Sequence, residues 1–518
     1  MAGLTRLLIG IIALGSCANG AEAQALYYRT IPIGERAVGL GGSYTGIADD
    51  PSATYYNPGG LMEGGNFQLL GSLSSIVLTK QKIERGFESG EIENDFSSSS
   101  TTTLPHFVGT VVKVGKERFG DKRFAVAFSS FEASRERLSV GFSEVQPSSS
   151  ADVQLNDNYR MRWWGISAAT RIKRDVSIGL SAFLANQSYG YNEDIGLARG
   201  GTVQDGTRVN GEFATSTTRI GVNSWSFVFR LGALYRINPK WQIGFMLQPP
   251  GAPIKKDGSL FRRTTLETEL GSAFFLFDEG GFKTWFPIPF EFRVGTEFKP
   301  NALTTVSWDA AVTGPVRGGN VFDPPSDFDT LNGSIAAYFP NSTKRRWTPN
   351  ASIGAEHMFG QVVVLGGIFT NISAAPNVPE NPEEYVPDQI SQFGASLAIG
   401  VDTHGYRVTL GATGYFGRGD ALALTVDRDA QVSGYERTKS NISGLVLYIA
   451  GAVSVASKGA KDVQDKYKER KARKTDEEHG DESTERGTED DGAVERDEAN
   501  DVEGNGSPPG SERVEPSP

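Results

Sequence analysis

The stretch Trp225-Ser226-Phe227-Val228-Phe229-Arg230-Leu231-Gly232-Ala233-Leu234-Tyr235-Arg236 decides the fold. Trp225, Phe227, Phe229, Leu231, Ala233 and Tyr235 fall on one face of an extended chain. Ser226, Val228, Arg230, Gly232, Leu234 and Arg236 fall on the other. Side chains of a strand alternate with period two, so one face is apolar and the other is largely small or polar. Asn238-Pro239 then breaks the run, and a new strand is expected over 240–249. The same alternation recurs in Val176–Leu184, where Val176, Ile178, Leu180, Ala182 and Leu184 oppose Ser177, Gly179, Ser181 and Phe183. It returns in Val306–Val312 and in Tyr406–Thr413. A soluble sandwich also alternates, so the pattern alone leaves two architectures open.

The connections separate them. Strands are expected at about 66–80, 101–116, 122–134, 158–172, 174–192, 221–237, 240–249, 286–299, 302–314, 345–359, 361–374, 391–402, 405–418 and 443–456. Every second connection is short: Glu117–Asp121, Lys173-Arg174, Asn238-Pro239, Pro300-Asn301, Gly360-Gln361 and Thr403-His404-Gly405. The others, such as Gln81–Ser100, Glu193–Ile220, Gly251–Trp285, Pro315–Lys344 and Ala375–Gln389, read as long polar loops. Short turns alternating with long loops on an even number of strands predict an all-β transmembrane barrel of about 14 antiparallel strands. Closure leaves no unpaired edge for the lipid. Tyr235, Trp241 and Tyr406 lie beside short turns, and Trp225, Trp285 and Trp347 beside long ones, as two interfacial aromatic girdles require.

The two ends frame this barrel. Residues 1–23 read as an export leader: Arg6, the apolar run Leu7–Leu14, then the cleavage site Ala21-Glu22-Ala23. Leu14-Gly15-Ser16-Cys17 also fits a lipoprotein signal, so lipidation of Cys17 is an open alternative. Among 518 residues there are 1 Cys and 4 His, which argues against a disulfide scaffold or a Cys-rich metal centre. From Ser457 to Pro518 the chain carries 11 Lys and Arg against 19 Asp and Glu, most of the overall charge of −11. With almost no large apolar residues, 457–518 is expected to be a disordered tail, either simply solvated or docking a periplasmic partner. The expected organisation is leader 1–23, an N-terminal segment 24–64, barrel 65–456 and tail 457–518, with both termini periplasmic in the outer membrane.

Before the first strand runs Gly34-Glu35-Arg36-Ala37-Val38-Gly39-Leu40-Gly41-Gly42-Ser43-Tyr44-Thr45-Gly46. It continues Ile47-Ala48-Asp49-Asp50-Pro51-Ser52-Ala53-Thr54-Tyr55-Tyr56-Asn57-Pro58-Gly59-Gly60-Leu61. The segment is rich in glycine and in turn formers, not in strand residues, and suits a compact plug inside a lumen. Here the chain resembles the FadL-type transporters of long-chain fatty acids and aromatic hydrocarbons. Gly34, Arg36, Gly39, Gly41, Gly42, Ala48, Asp49, Asp50, Ser52, Tyr55, Asn57, Pro58, Gly60 and Leu61 match that family's N-terminal pattern. Gly59 replaces its usual Ala. The resemblance covers about 27–456. It implies a hatch gated through Gly39, Gly41, Gly42, Asp49, Asp50, Asn57 and Pro58. It further implies passive transport of hydrophobic small molecules and a sideways exit near an inward kink of the third strand, about Lys122–Ser134. A related pattern occurs in barrels that resemble accessory, protein-binding components of secretion systems, which is the alternative function.

Other candidate residues follow from position. Phe274, Phe275, Phe277 and Trp285 form an apolar cluster in an expected outer loop and could capture ligand, or simply pack it. Arg230, Arg236, Arg293 and Arg407 fall on the inward face. Arg230, Arg293 and Arg407 are candidates to hold a carboxylate; ion pairs with Glu291, Glu297, Asp309 or Glu356 are the competing role. A hydrolase would need a serine with an oriented histidine. His357 shares the lipid-facing phase of Ile353 and Ala355, His404 lies in a turn, His479 in the tail, and His106 has no partner identifiable by spacing. No catalytic role, metal, cofactor or nucleic-acid partner is expected; the expected partners are outer-membrane lipid and a hydrophobic ligand.

Overall fold

The computed structural model describes residues 33–455, apart from 90–91, 105–106, 120, 148, 200–201, 205–206, 210, 269–270, 285, 317–320, 322–342, 383–385, 404 and 428–431. The expected leader and tail, Trp285, His106, His404 and His479 therefore lie outside the described residues.

The strands are β1 (Phe67–Ser89), β2 (Ile92–Leu104), β3 (Phe107–Arg118), β4 (Asp121–Val145), β5 (Ser149–Lys173) and β6 (Val176–Arg199). The short pair β7 (Thr202–Gln204) and β8 (Thr207–Val209) precedes β9 (Glu212–Asn238), β10 (Trp241–Gln248), β11 (Ala252–Thr268) and β12 (Gly271–Phe282). Then come β13 (Glu291–Asn301), β14 (Thr304–Thr313), β15 (Thr348–Phe359), β16 (Val362–Asn371), β17 (Gln389–Thr403), β18 (Tyr406–Asp427) and β19 (Val432–Val455). Near the short turns the ladders run β1–β3–β4–β5–β6–β9–β10–β13–β14–β15–β16–β17–β18–β19, and β19 returns to β1 from Phe67↔Val455 upward. Among the described residues, fourteen strands make this closed antiparallel ring.

The wall is inside-out relative to a soluble protein. Phe227, Phe229 and Leu231 are exposed outward, as are Leu397, Ile399, Leu410 and Ile449, while Ser226, Arg230, Ser396 and Thr409 are buried inward. Exposed apolar side chains and buried polar ones on alternate residues are what a lipid-facing barrel demands. Tyr235, Trp241, Trp347 and Tyr406 are exposed at strand ends.

Several loops expected from the sequence are strands. Gln81–Ser100 is the top of β1 and most of β2; Glu193–Ile220 is largely β6 and β9; Gly251–Trp285 contains the β11–β12 hairpin. β4, β5, β6 and β9 have 24 to 27 residues, whereas β13, β14 and β16 have 10 or 11, the length that spans a bilayer. One side of the wall thus projects on the order of 40 Å along its strands beyond the other, at about 3.3 Å per residue. These extensions are Ser/Thr-rich and polar outside, which hid them as loops. Their inner face carries Ile83, Phe87, Ile92, Phe96, Val140, Val153 and Leu424, which collapse into a cluster of their own. That cluster supplies the burial that makes the extra strand length stable.

Candidate functional site

Residues Ile33–Asn66 fill the ring. Within them, Glu35–Gly39 and Ala53–Tyr56 form single helical turns and Pro58–Met62 a 3₁₀ turn, with proline at its first position. Gly41 and Gly42 take positive φ values of 66° and 83°, a region closed to most side chains. The segment touches inward residues all round the wall, and these clasp its carbonyls in sequence. Ser396 Oγ donates to Gly39 O (2.9 Å), Ser307 Oγ to Ser43 O (2.9 Å), Gln242 Nε2 to Gly46 O (2.8 Å), Ser181 Oγ to Thr54 O (2.8 Å) and Ser177 Oγ to Gly59 O (2.7 Å).

The backbone can come so close because the wall lacks side chains opposite it. Gly179, Gly232, Gly244, Gly295, Gly354 and Gly367 face the segment at one level, joined in register as Gly179↔Gly232, Gly244↔Gly295 and Gly354↔Gly367. A Cβ on Gly244 would sit 2.0 Å from Thr45 O, and one on Gly367 2.3 Å from the Leu40 carbonyl carbon. Inward glycine in mid-strand signals a close backbone approach. That signal was present in the sequence at Gly179 and Gly232, but only register shows that these glycines form a belt.

Charged groups pin the segment at three points. Arg36 binds both oxygens of Asp49 at 2.7 Å and reaches Glu356 on β15. Tyr44 donates its hydroxyl to Asp49 at 2.7 Å. Burial would raise the Asp49 carboxyl, but Arg36 and the Tyr44 hydroxyl hold it down at about 2. Glu35, with its shift dominated by burial, is pushed up to about 8. Asp309 on β14 accepts from Thr45 N (2.9 Å), Tyr44 N (3.2 Å) and the Thr45 hydroxyl. The sequence reading offered Asp309 as a partner for an arginine; instead it receives backbone donors of the plugging segment. Asn57 bridges both sides, donating to Thr45 O and to Ala233 O of the wall, each at 3.0 Å, and accepting from Gly59 N at 3.1 Å. Asp50 holds the next turn through Ser52 N at 2.7 Å.

The arginines are engaged by the protein. Arg230 donates to Glu291 (2.9 Å), to Gln248 (2.9 Å) and to the Tyr55 carbonyl, with its guanidinium 3.9 Å from the Tyr55 ring centroid. Arg293 binds Glu291 and donates to the Tyr55 hydroxyl at 3.1 Å. Arg407 pairs with Asp402 at 2.8 Å and lies 3.8 Å from Glu356. Glu297 pairs with Lys299 instead. Buried charges need such partners. The phenylalanine cluster divides: Phe274 points outward and is 66 % exposed, whereas Phe275 and Phe277 pack inward with Phe282. Period two along β12 places neighbours on opposite faces, so these residues are not one groove.

Above Tyr55 lies a cavity of about 50 Å³. Tyr159, Met161, Trp163, Gln187, Gln248 and Ala133 line its walls, and the strap Phe286-Pro287-Ile288-Pro289 folds in over it. Phe286 stacks on Tyr159 (6.1 Å, 11°), and Pro289 O accepts from Gln248 Nε2 at 2.9 Å. The wall beside it bends inward: Phe131–Ser134 are buried in succession, and the β4–β5 register shifts between Glu132 and Ser134. β3 pairs with β4 only up to Phe107↔Phe131, and no described ladder joins β2 to β4 above that level.

No family model and no curated protein matches the sequence. Solved structures do. A Pseudomonas aeruginosa FadL homologue aligns with TM-score 0.51 at 12% identity, covering 83% of this chain and 99% of that one. The P. putida toluene transporter TodX aligns at 0.53 and 15% identity over 82% and 99%, and the CymD monoaromatic hydrocarbon channel at 0.52 and 14% over 82% and 98%. The chain thus shares the barrel fold of these FadL-type proteins.

Proposed function

We propose that the protein is a passive outer-membrane channel for hydrophobic small molecules, with the segment Ile33–Asn66 as its hatch. The observation that carries this is the cavity above Tyr55. It is partly open, is lined by aromatic and apolar side chains together with polar ones such as Gln187, Gln248 and Arg230, and sits between the plugging segment and the bent stretch of β4, with Ala133 of that bend in its lining. Apolar enclosures with a few placed polar groups are where small ligands bind. A molecule leaving sideways past the β4 bend enters lipid directly. Among the solved barrels it resembles are a FadL homologue, a toluene transporter and a monoaromatic hydrocarbon channel. In this reading both termini are periplasmic, the tall extensions face the exterior, and Asn57, Pro58 and Asp49 hold the hatch shut.

Uptake by liposomes carrying the purified barrel tests it. Radiolabelled toluene or oleate should enter faster than into protein-free liposomes. Asn57→Ala should change that rate while the barrel still folds. Equal uptake with and without protein sinks the proposal. If the barrel instead copurifies with a secreted protein and moves no ligand, the accessory role is the better reading.

A further inference from the structure

The wall of the cavity contains two buried polar atoms that no described residue satisfies. Among the residues lining it, Trp163 Nε1 and Gln187 Oε1 have no hydrogen-bond partner among the described residues. The two side chains are 2 % and 4 % exposed. They stand on adjacent strands: Trp163 faces Ala185 and Met161 faces Gln187, so Trp163 and Gln187 are diagonal neighbours on one inner face. Diagonal neighbours are about 7–8 Å apart, close enough for both to reach one ligand atom.

Neither side chain can easily turn away. The Trp163 ring is wedged between Phe131 at 5.7 Å, Phe183 at 5.2 Å and Tyr55 at 6.0 Å. The Gln187 amide is tethered by its Nε2, which donates to the Tyr159 hydroxyl at 3.1 Å. A donor and an acceptor are thus left unmet in the wall of a cavity whose lining is part aromatic and part polar, and unmet buried polar groups call for an explanation. A hydroxyl answers both, its oxygen accepting from the indole N–H and its proton going to the amide carbonyl. A methyl would leave both unmet. A carboxylate would meet the indole but set its charge against the Gln187 carbonyl. Of the two guanidiniums in the lining, Arg230, 5.1 Å from the Trp163 ring, is already bound to Glu291, Gln248 and Tyr55, and Arg345 donates to Lys344 O at 2.9 Å.

We infer that this cavity selects phenols: apolar aromatic ligands that carry one uncharged hydroxyl, read by Trp163 and Gln187. The inference rests on the cavity being the ligand site of the channel. Calorimetric titration of the detergent-purified protein with p-cresol and p-xylene tests it, since the two differ by hydroxyl against methyl at nearly constant shape. p-Cresol should bind at least about tenfold tighter, because a site built around a hydroxyl penalises the analogue that lacks it. Trp163→Phe and Gln187→Leu should each bring that ratio to within about twofold. The heat-dependent mobility shift of the barrel would report that both variants fold. Equal binding of the two ligands by the wild type, or a preference that survives both substitutions, overturns the inference while leaving transport of apolar ligands intact. Binding of neither overturns it as well, and if toluene uptake is also absent the channel reading falls with it.

Discussion

The lumen is solved in two opposite ways along its length. Near the short turns, backbone meets backbone: inward glycines of the wall admit Leu40, Thr45 and Pro58, and serines, Gln242 and Asp309 bind the segment's peptide groups. Farther out, ring meets ring: Tyr159, Trp163, Phe183 and Phe286 fill the middle, and Phe87, Phe96 and Phe142 close the extensions. The contrast says where motion is possible and what it costs. Moving the inner plug breaks many short, directional bonds at once. Shifting the outer rings loses only non-directional contact, which a hydrophobic ligand can replace.

Substitutions can break that contrast in order of expected effect. Gly244→Val should do most, because its Cβ would sit 2.0 Å from the Thr45 carbonyl oxygen and 2.8 Å from Asn57 Nδ2. The segment should leave the ring, exposing Arg36 to trypsin and making the barrel leaky to small polar solutes. Gly414→Val, where nothing lies within 4 Å of the added Cβ, should behave as wild type. If both variants resist trypsin equally, the glycine belt is not what seats the segment.

Phe87→Ala addresses the other region. Phe87 is fully buried against Phe142, and its loss should cost about 3–5 kcal/mol locally. Hydrogen exchange should speed up in the tops of β1, β2 and β18 and stay unchanged at 33–66. Faster exchange in the plugging segment would mean that the two regions are coupled and the contrast is wrong. Asp309→Asn should have a smaller effect. It keeps the shape but weakens charge-assisted bonds to Tyr44 and Thr45, at about 1–2 kcal/mol. The readout is faster exchange confined to the amides of Tyr44 and Thr45.

The smallest effect is a pH drift. Burial raises the Glu35 carboxyl from 4.5 to about 8, so the folded protein holds that proton more tightly than the unfolded chain. The stabilisation is fully present below 4.5 and is lost as pH rises through 8. Asp49, held at about 2, works in the opposite sense and loses its contribution only below 3.8. Seating of the segment should therefore weaken between pH 4.5 and 8, and Glu35→Gln should flatten that slope in a trypsin-protection assay. A slope unchanged in the variant would assign the drift elsewhere.

Much of this was readable before any fold was known. Alternation in Trp225–Arg236 and its counterparts set the strands, the lipid side and the inward placement of Arg230, Arg293 and Arg407, because period two is local and lipid accepts only one face. The turns at Lys173-Arg174, Asn238-Pro239 and Gly360-Gln361 set the rhythm that counts fourteen strands. The long polar stretches misled, since Ser/Thr-rich sequence pairs as readily as it loops once its neighbour strand is fixed. What only the tertiary structure decided depends on closure and register. Gly244 lies opposite Gly295, Asp309 beneath Thr45, Trp163 diagonal to Gln187, and Phe286 over Tyr159. Those residues are tens to hundreds of positions apart, and no local pattern states which inward side chains will meet. The ring had to close before the chain could make a cavity.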